Sequence, residues 1–549
     1  MTVVQSVEHG TSHVRGGLNL DAIIIGAGFS GLYLLHKLRD ELKSNVKVFE
    51  AEPDIGGTWH ANRYPGARVD CPAPHYAYSS KKIWQSWTWS ERYPSQPELK
   101  SYFEHVDRIL HVRNDCIFNS EVNSSTFDKV SGRWTVQTAD GKVATAKYLL
   151  VAVGFASKPY LPDWQGISSF QGPIFHSAKW PEGGVDVKGK KVAVIGTGST
   201  GIQITQEWAK EADETFLFQR TPNLCLPMAQ QRLDVPKQEK SKFNYEHMFT
   251  YCVSTFGGLE YEPTPRNTAD DSPEDREALY EKLYKDGGFK FWFNNYQDLL
   301  FDATANRAAY DFWARKTRSR ISDPVKKDLL APLEPPHPFG AKRPSLEQDF
   351  YEQVDKPNVH IIDTKRNPVV EVRPQGIVTA DGNLHEIDII AVATGFDAFT
   401  GGLKRLGLKG TDGIVLGERW RNGVTTNLGM TVSGFPNMFL PYSLQAPTAF
   451  ANGPRIIEMQ GNWIASIICK MENEGVKSLV ATREAERAWS DEVNALANMS
   501  LLPQANSWYM GSNIPGKPVQ SLNYIGGLPT YGARCAKAIE QDFRGFVKE

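Results

Sequence analysis

The sequence predicts an α/β protein in which two strand–turn–helix units of one design are combined with a largely helical insertion. Three observations predict it: two glycine-rich turns with the same spacing, a pair of later apolar runs that each end at a glycine, and a stretch from 230 to 335 with helical patterning. In the first unit the apolar run Ala22 to Ile25 is a strand, Gly26, Gly28 and Gly31 make a tight turn, and Leu32, Leu35, Leu38 and Leu42 recur at helical spacing. The segment VKVFEAE follows as a second strand ending in Glu50. KKVAVIGTGSTGIQITQEWA repeats the arrangement with Gly196, Gly198 and Gly201, and TFLFQRTP is its second strand, ending in Arg220. In both units the strand-end residue stands 24 positions after the first glycine.

A GxGxxG turn between a strand and a helix lets the backbone approach a pyrophosphate, which then rests on the helix N-terminus; this is the design of Rossmann-like dinucleotide-binding domains. A carboxylate at the strand end accepts hydrogen bonds from a ribose hydroxyl, whereas an arginine suits a 2′-phosphate. The first site, with Gly26, Gly28, Phe29, Gly31 and Glu50, therefore reads as FAD or NAD. The second, with Gly196, Thr197, Gly198, Ser199, Thr200, Gly201, Arg220 and Thr221, reads as NADP. Gly56 and Gly57, just after Glu50, permit a second backbone approach to a dinucleotide and resemble the extended FAD signature of two-dinucleotide flavoproteins. The runs AKYLLVAVG, ending at Gly154, and EIDIIAVATG, ending at Gly395, read as crossings between an FAD domain and an NADP domain inserted into it. The expected division is 1–153 and 391–549 for the FAD domain, 154–229 and 336–390 for the NADP domain, and 230–335 for the helical insertion. FAD and NADP(H) on one chain imply hydride transfer from nicotinamide to flavin.

Within the insertion, SPEDREALYEKLYKDGG has Ser272 as N-cap, Pro273 at the first helical position, Asp275 in the first turn and Gly287 as the stop. The aromatic cluster Phe289 to Tyr296 reads as packing, with a pocket wall as the alternative, and NWIASIICKMENEG as an amphipathic helix that returns to the FAD domain. A length of 549 residues suggests three or four units. A net charge of −2 without a basic block argues against nucleic acid as a partner. With no apolar run of about 18 residues, and an N-terminus lacking the apolar segment of a secretory signal, the expectation is a soluble, cytoplasmic protein with no membrane partner. Six scattered cysteines, none closer than 27 positions to another, exclude CxxC pairs and clustered thiolate metal ligands and read as free thiols; no metal is expected.

One loop carries a more specific pattern. FQGPIFHSAKWP, residues 170–181, sits between the Gly154 crossing and the second glycine turn and spaces Phe170, Gly172, His176 and Trp180 as FxGxxxHxxxWP. Flanked by two GxGxxG turns, it resembles the fingerprint of the type I Baeyer-Villiger monooxygenases, with the chain nearest the cyclohexanone monooxygenase group. The resemblance implies an NADPH-dependent, FAD-containing oxidoreductase that converts ketones to esters or lactones with O2 through a C4a-peroxyflavin, and a monomer is expected. It assigns Arg343, in FGAKRPSLEQDFYE, to stabilising negative charge, which a planar, permanently charged donor suits. Lys342 would help Arg220 hold the 2′-phosphate, and Asp70 would orient Arg343 beside the flavin. Trp508 would reach the NADP ribose, while Gly57, Thr58, Trp59, Tyr76 and Val122 match flavin-contacting positions. His176 is read as an organiser of the linker that couples NADP binding to domain closure. The chain departs from the family at His60 and Ala61 and in FPNMFLPYSLQAPTAFANGP, which lacks a Gly-Pro-Asn run, so substrate range is the weakest inference. Three other readings compete: an N- or S-oxygenating flavin monooxygenase, a disulfide reductase, which would need a close cysteine pair, and a non-catalytic NADPH-binding regulator.

Overall fold

The computed structural model describes residues 17–549, so the expectation about a secretory signal lies almost wholly outside the described residues. Leu18–Ile25 is the central strand of an eight-stranded sheet, flanked in parallel by Val46–Phe49 and by Val143–Val151. Burial on both faces explains the unbroken apolar run Ala22 to Ile25. Val122–Asp128 and Arg133–Thr138 reach Val143–Val151 as an antiparallel meander. The second sheet is wholly parallel, in the order Val359–Asp363, Glu214–Gln219, Lys191–Ile195, Ile389–Val392, Ile174–His176.

Each glycine turn leads into a helix, as expected. After the first, Phe29–Leu35 continues as a π-helical stretch, His36–Glu41, with Leu32, Leu35 and Leu38 fully buried. After the second comes Ser199–Glu211. In the insertion, helices occupy Val235–Ser241, Tyr245–Ser254, Pro273–Asp286, Ala303–Arg318 and Pro324–Leu330, among shorter turns. Pro273–Asp286 has the expected ends: the Ser272 hydroxyl accepts from the Asp275 N–H at 3.1 Å, and Gly287 has φ 70°. The amphipathic helix is Gly453–Asn473, capped by the Asn452 side chain, and it packs on Phe29–Leu35 with Trp463, Ile464, Ile467, Ile468 and Met471 buried.

The two crossings meet. The chain leaves the first sheet after Val151 and the second after Val392, and the departing segments pair with each other: Pro159 and Phe396 form an antiparallel bridge, Tyr160 N–H donates to Gly395 O at 2.9 Å, and Asp397 N–H to Lys158 O at 2.9 Å. Two expectations need correction. A boundary between 390 and 391 would divide Ile389–Val392, which the second sheet holds whole between Lys191–Ile195 and Ile174–His176. The fingerprint is also not all loop: Ile174–His176 is an edge strand and Ser177–Lys179 a 3-10 turn, because His176 pairs in register with Val392. Among the described residues no helix is long and apolar enough to cross a membrane, and all six cysteines are free.

Candidate active site

The two turns have the same construction. Gly26 and Gly196 both have φ +104°, and a Cβ on either would lie 2.6 Å from a carbonyl oxygen of the neighbouring strand, Ala152 or Ala393. A Cβ on Gly31 or Gly201 would fall 1.8 or 2.0 Å from the carbonyl oxygen of Gly26 or Gly196, which is the close approach the third glycine allows. Gly198, by contrast, faces open space, and Gly28 faces only the Gly57 Cα at 3.6 Å. These are the positions where a pyrophosphate needs room. Gly57 has φ +52° and starts the short helix Thr58–Ala61, so a second backbone turn stands against the first glycine loop.

Glu50 is buried beneath the first turn, its carboxylate accepting from Ala27 N–H at 2.6 Å and Glu52 N–H at 2.9 Å. Burial pushes its carboxyl up from the ordinary range, an effect those two N–H groups oppose. Carboxylate oxygens have further acceptor capacity, so the residue fits ribose hydroxyls. The equal spacing of 24 residues is not equal in register. Ile25 pairs with Phe49 but Ile195 with Phe218, so Glu50 is matched by Gln219, and Arg220 stands one residue further out and exposed. There it joins Lys342 and Lys365. Burial and the charges of Arg220 and Lys365 lower the Lys342 ammonium to about 8. Among the described residues no carboxylate forms an ion pair with Lys342, and a cluster of cations lacking an anion fits a 2′-phosphate. Thr197 ties this turn to Thr221 O at 2.6 Å, Ser199 shares a hydrogen bond with Ser345 at 2.9 Å, and Thr200 donates to the Tyr64 hydroxyl at 3.2 Å.

Arg343 and Asp70 come together from opposite halves of the chain. Asp70 Oδ2 accepts from Arg343 Nε at 3.1 Å and Nη2 at 2.8 Å, and Ala449 O accepts from Nη1 at 2.9 Å. Three of five guanidinium N–H groups are thus used and two stay free. The Phe289 ring lies under the guanidinium, centroid at 5.0 Å, which fits the pocket-wall alternative for this end of the aromatic cluster. Burial works against the charge, but Asp70 outweighs it and the pKa of Arg343 is raised. Although protein surrounds it, the side chain keeps 26% of its surface accessible, so it faces an internal cleft.

Other expected residues gather around this pair. Trp59 donates from Nε1 to the Tyr76 hydroxyl at 3.0 Å, and Tyr76 packs edge-on against Phe29, tying the Thr58–Ala61 helix to the first turn. Thr58 is exposed, and Val122 is buried in its strand with Ile25 and Phe49. Trp508 stacks on Phe155, just past the Gly154 crossing, at 5.3 Å and 5°. His176 accepts from Ala178 N–H at Nδ1 (3.1 Å) and donates from Nε2 to Gly395 O (3.2 Å), joining the fingerprint to the second crossing; burial lowers its pKa and keeps it neutral. A Cβ on Gly172 would lie 2.0 Å from Asp388 O, and Phe170 covers that glycine. Trp180 is buried between Trp208 and Tyr64, against the second nucleotide helix. Sequence reasoning gave no role to Ala449, Tyr509 or the Asn223–Ser345 pair. Asn223 bonds both Thr197 O and Ser345, linking the NADP turn to the segment that carries Arg343. Position along the chain was the available signal: Ser345 lies near Arg343, Tyr509 follows Trp508, and Ala449 falls in the segment that departs from the family.

A family model described as flavin-binding monooxygenase-like matches residues 21–232. The cyclopentanone 1,2-monooxygenase of Comamonas sp. (strain NCIMB 9872) is 41% identical over 527 residues, covering 96% of this chain and 96% of that protein. Cyclohexanone monooxygenase from Rhodococcus sp. Phi1, solved bound to NADP+, superposes with a TM-score of 0.94 at 35% identity, over 97% of this chain and 100% of that one. OTEMO in complex with FAD and NADP gives a TM-score of 0.92 at 37% identity, over 96% and 99%. Two nucleotide turns, a guanidinium–carboxylate pair in the cleft and full-length likeness to ketone monooxygenases have one reading: the chain belongs to the type I Baeyer-Villiger monooxygenases, beside the cyclohexanone and cyclopentanone enzymes.

Proposed function

We infer that this chain binds FAD at the first turn and NADPH at the second and converts ketones, cyclic ones among them, to esters or lactones with O2. The observation that carries the reading is Arg343, held by Asp70 and Ala449 with two N–H groups free in an internal cleft. FAD, once reduced by NADPH, supplies the activated oxygen. The protein's part is electrostatic and steric. Attack on a ketone carbon moves charge onto the carbonyl oxygen, and the free N–H groups of Arg343 are fixed donors for that charge, needing no reorganisation as it forms. Asp70 holds the guanidinium plane and balances its charge, while Phe289 supports its face. Trp508, Phe155 and Tyr442 form an aromatic wall that excludes water.

In this reading Gly26, Gly28, Phe29, Gly31, Glu50, Gly57, Thr58, Trp59, Asp70, Tyr76 and Val122 serve FAD. Gly196 to Gly201, Arg220, Thr221, Lys342 and Trp508 serve NADP. The FAD domain is interrupted between the two crossings by the NADP domain with its helical insertion, the chain acts as a monomer, and it works in the cytoplasm. Transfer of oxygen to nitrogen or sulfur creates no tetrahedral oxyanion, so the paired arginine favours the ketone reaction. Gas chromatography of products from a mixed ketone panel with NADPH tests it. Wild-type protein should yield esters or lactones, and Arg343→Ala should fall by a factor of about 100 to 1,000 while staying yellow with flavin. Undiminished ester from Arg343→Ala would refute the role of the guanidinium.

A further inference from the structure

We propose that the Tyr509 hydroxyl is a second hydrogen-bond donor to the ketone oxygen that Arg343 stabilises; the inference rests on the ketone-oxygenating reading above. Tyr509 is buried, 1% exposed, and among the described residues its hydroxyl has no hydrogen-bond partner of proper geometry. The hydroxyl lies beside the Arg343 guanidinium, within reach of its positive charge. A guanidinium only donates, so the phenol oxygen can face it as an acceptor, but the phenol proton needs an acceptor elsewhere. The ring packs against Phe450 at 4.9 Å and Trp508 at 4.7 Å, which offer carbon and no strong acceptor. Burial raises the phenol well above the ordinary tyrosine range, so the proton stays in place.

A buried donor without an acceptor costs stability and calls for an explanation in function or in an absent partner. Other buried tyrosine hydroxyls also lack partners, Tyr93, Tyr261, Tyr280, Tyr284 and Tyr351 among them, but Tyr509 is the one of these beside Arg343. A carbonyl oxygen held by Arg343 would find the Tyr509 proton next to it. When an oxygen nucleophile adds to the carbonyl carbon, the π pair moves onto that oxygen, and both donors strengthen their bonds to it. No proton is transferred. The pair then re-forms C=O as one carbon migrates to the incoming oxygen and displaces that oxygen's leaving group.

Tyr509→Phe removes the hydroxyl and keeps the ring. The test uses holoenzyme with NADP+ and carbonyl-labelled cyclopentanone, and reads the carbonyl stretch by difference infrared spectroscopy. It also measures ester formed per NADPH consumed and the Tm. The proposal expects the wild-type carbonyl band at lower frequency than that of the variant, and ester formation in the variant slowed by about 10- to 100-fold, with oxygen escaping as hydrogen peroxide. The Tm should be equal or higher, because an unsatisfied donor has gone. An unmoved band with ester formation within twofold of wild type would overturn the proposal, as would a lowered Tm with an unmoved band, which marks a packing role. Wild-type protein that makes no ester from any ketone would instead overturn the underlying reading of function.

Discussion

Lys342 gives the most direct handle on the second nucleotide site. Burial and the neighbouring Arg220 and Lys365 lower its ammonium to about 8. A bound 2′-phosphate dianion opposes all three effects and draws the proton back, so above pH 8 binding takes up a proton and weakens as pH rises. At pH 7 about nine-tenths of Lys342 carries its charge and at pH 9 about one-tenth, so the affinity for NADPH should fall about tenfold across that range, or about 1.4 kcal/mol. That is the size of one charge-assisted hydrogen bond. NADH has no 2′-phosphate and serves as the internal reference. Stopped-flow reduction of the flavin, run from pH 7 to 9 with each reductant, gives the ratio of apparent dissociation constants. Lys342→Ala should bind NADPH more weakly at pH 7 and lose the slope. A ratio that is flat with pH in the wild type, or a slope that survives in Lys342→Ala, would refute the reasoning.

Gly201→Ala places a methyl 2.0 Å from the Gly196 carbonyl, a backbone overlap that no side-chain movement relieves; NADPH affinity should drop at least about tenfold while the yellow flavin spectrum is kept, since the first turn is a separate construction, and wild-type affinity by NADPH titration would contradict this. His176→Ala removes one of two hydrogen bonds to Gly395 O, the other coming from Tyr160 N–H. It should cost about 1 kcal/mol of stability and lower the yield of ester per NADPH; unchanged coupling would remove His176 from the linker's function.

Both nucleotide units were legible because their chemistry is local. A glycine that must adopt φ +104°, or lie against the carbonyl of a residue five positions earlier, leaves a mark in a six-residue window. The cap and stop of Pro273–Asp286 are local in the same way. Register is not. Equal spacing suggested that Glu50 and Arg220 are equivalents, whereas pairing of distant strands makes Gln219 the counterpart of Glu50. The pairing of Asp70 with Arg343 was legible only through family likeness, since the two stand 273 positions apart. Phe289, Ala449 and Tyr509 converge on that arginine from three segments that stand out for other reasons, one contributing only a backbone carbonyl, and nothing local to any of them says that they meet.

The bridge between Pro159 and Phe396 has an evolutionary and practical meaning. The polypeptide enters and leaves the half built on the second sheet at one place, so only two neighbouring crossings join it covalently to the first, beside packed contacts such as Trp180 on Tyr64 and Arg343 on Asp70. Exchanging that half needs only two neighbouring cuts in the chain, but the incoming half must also match the core it shares with the first.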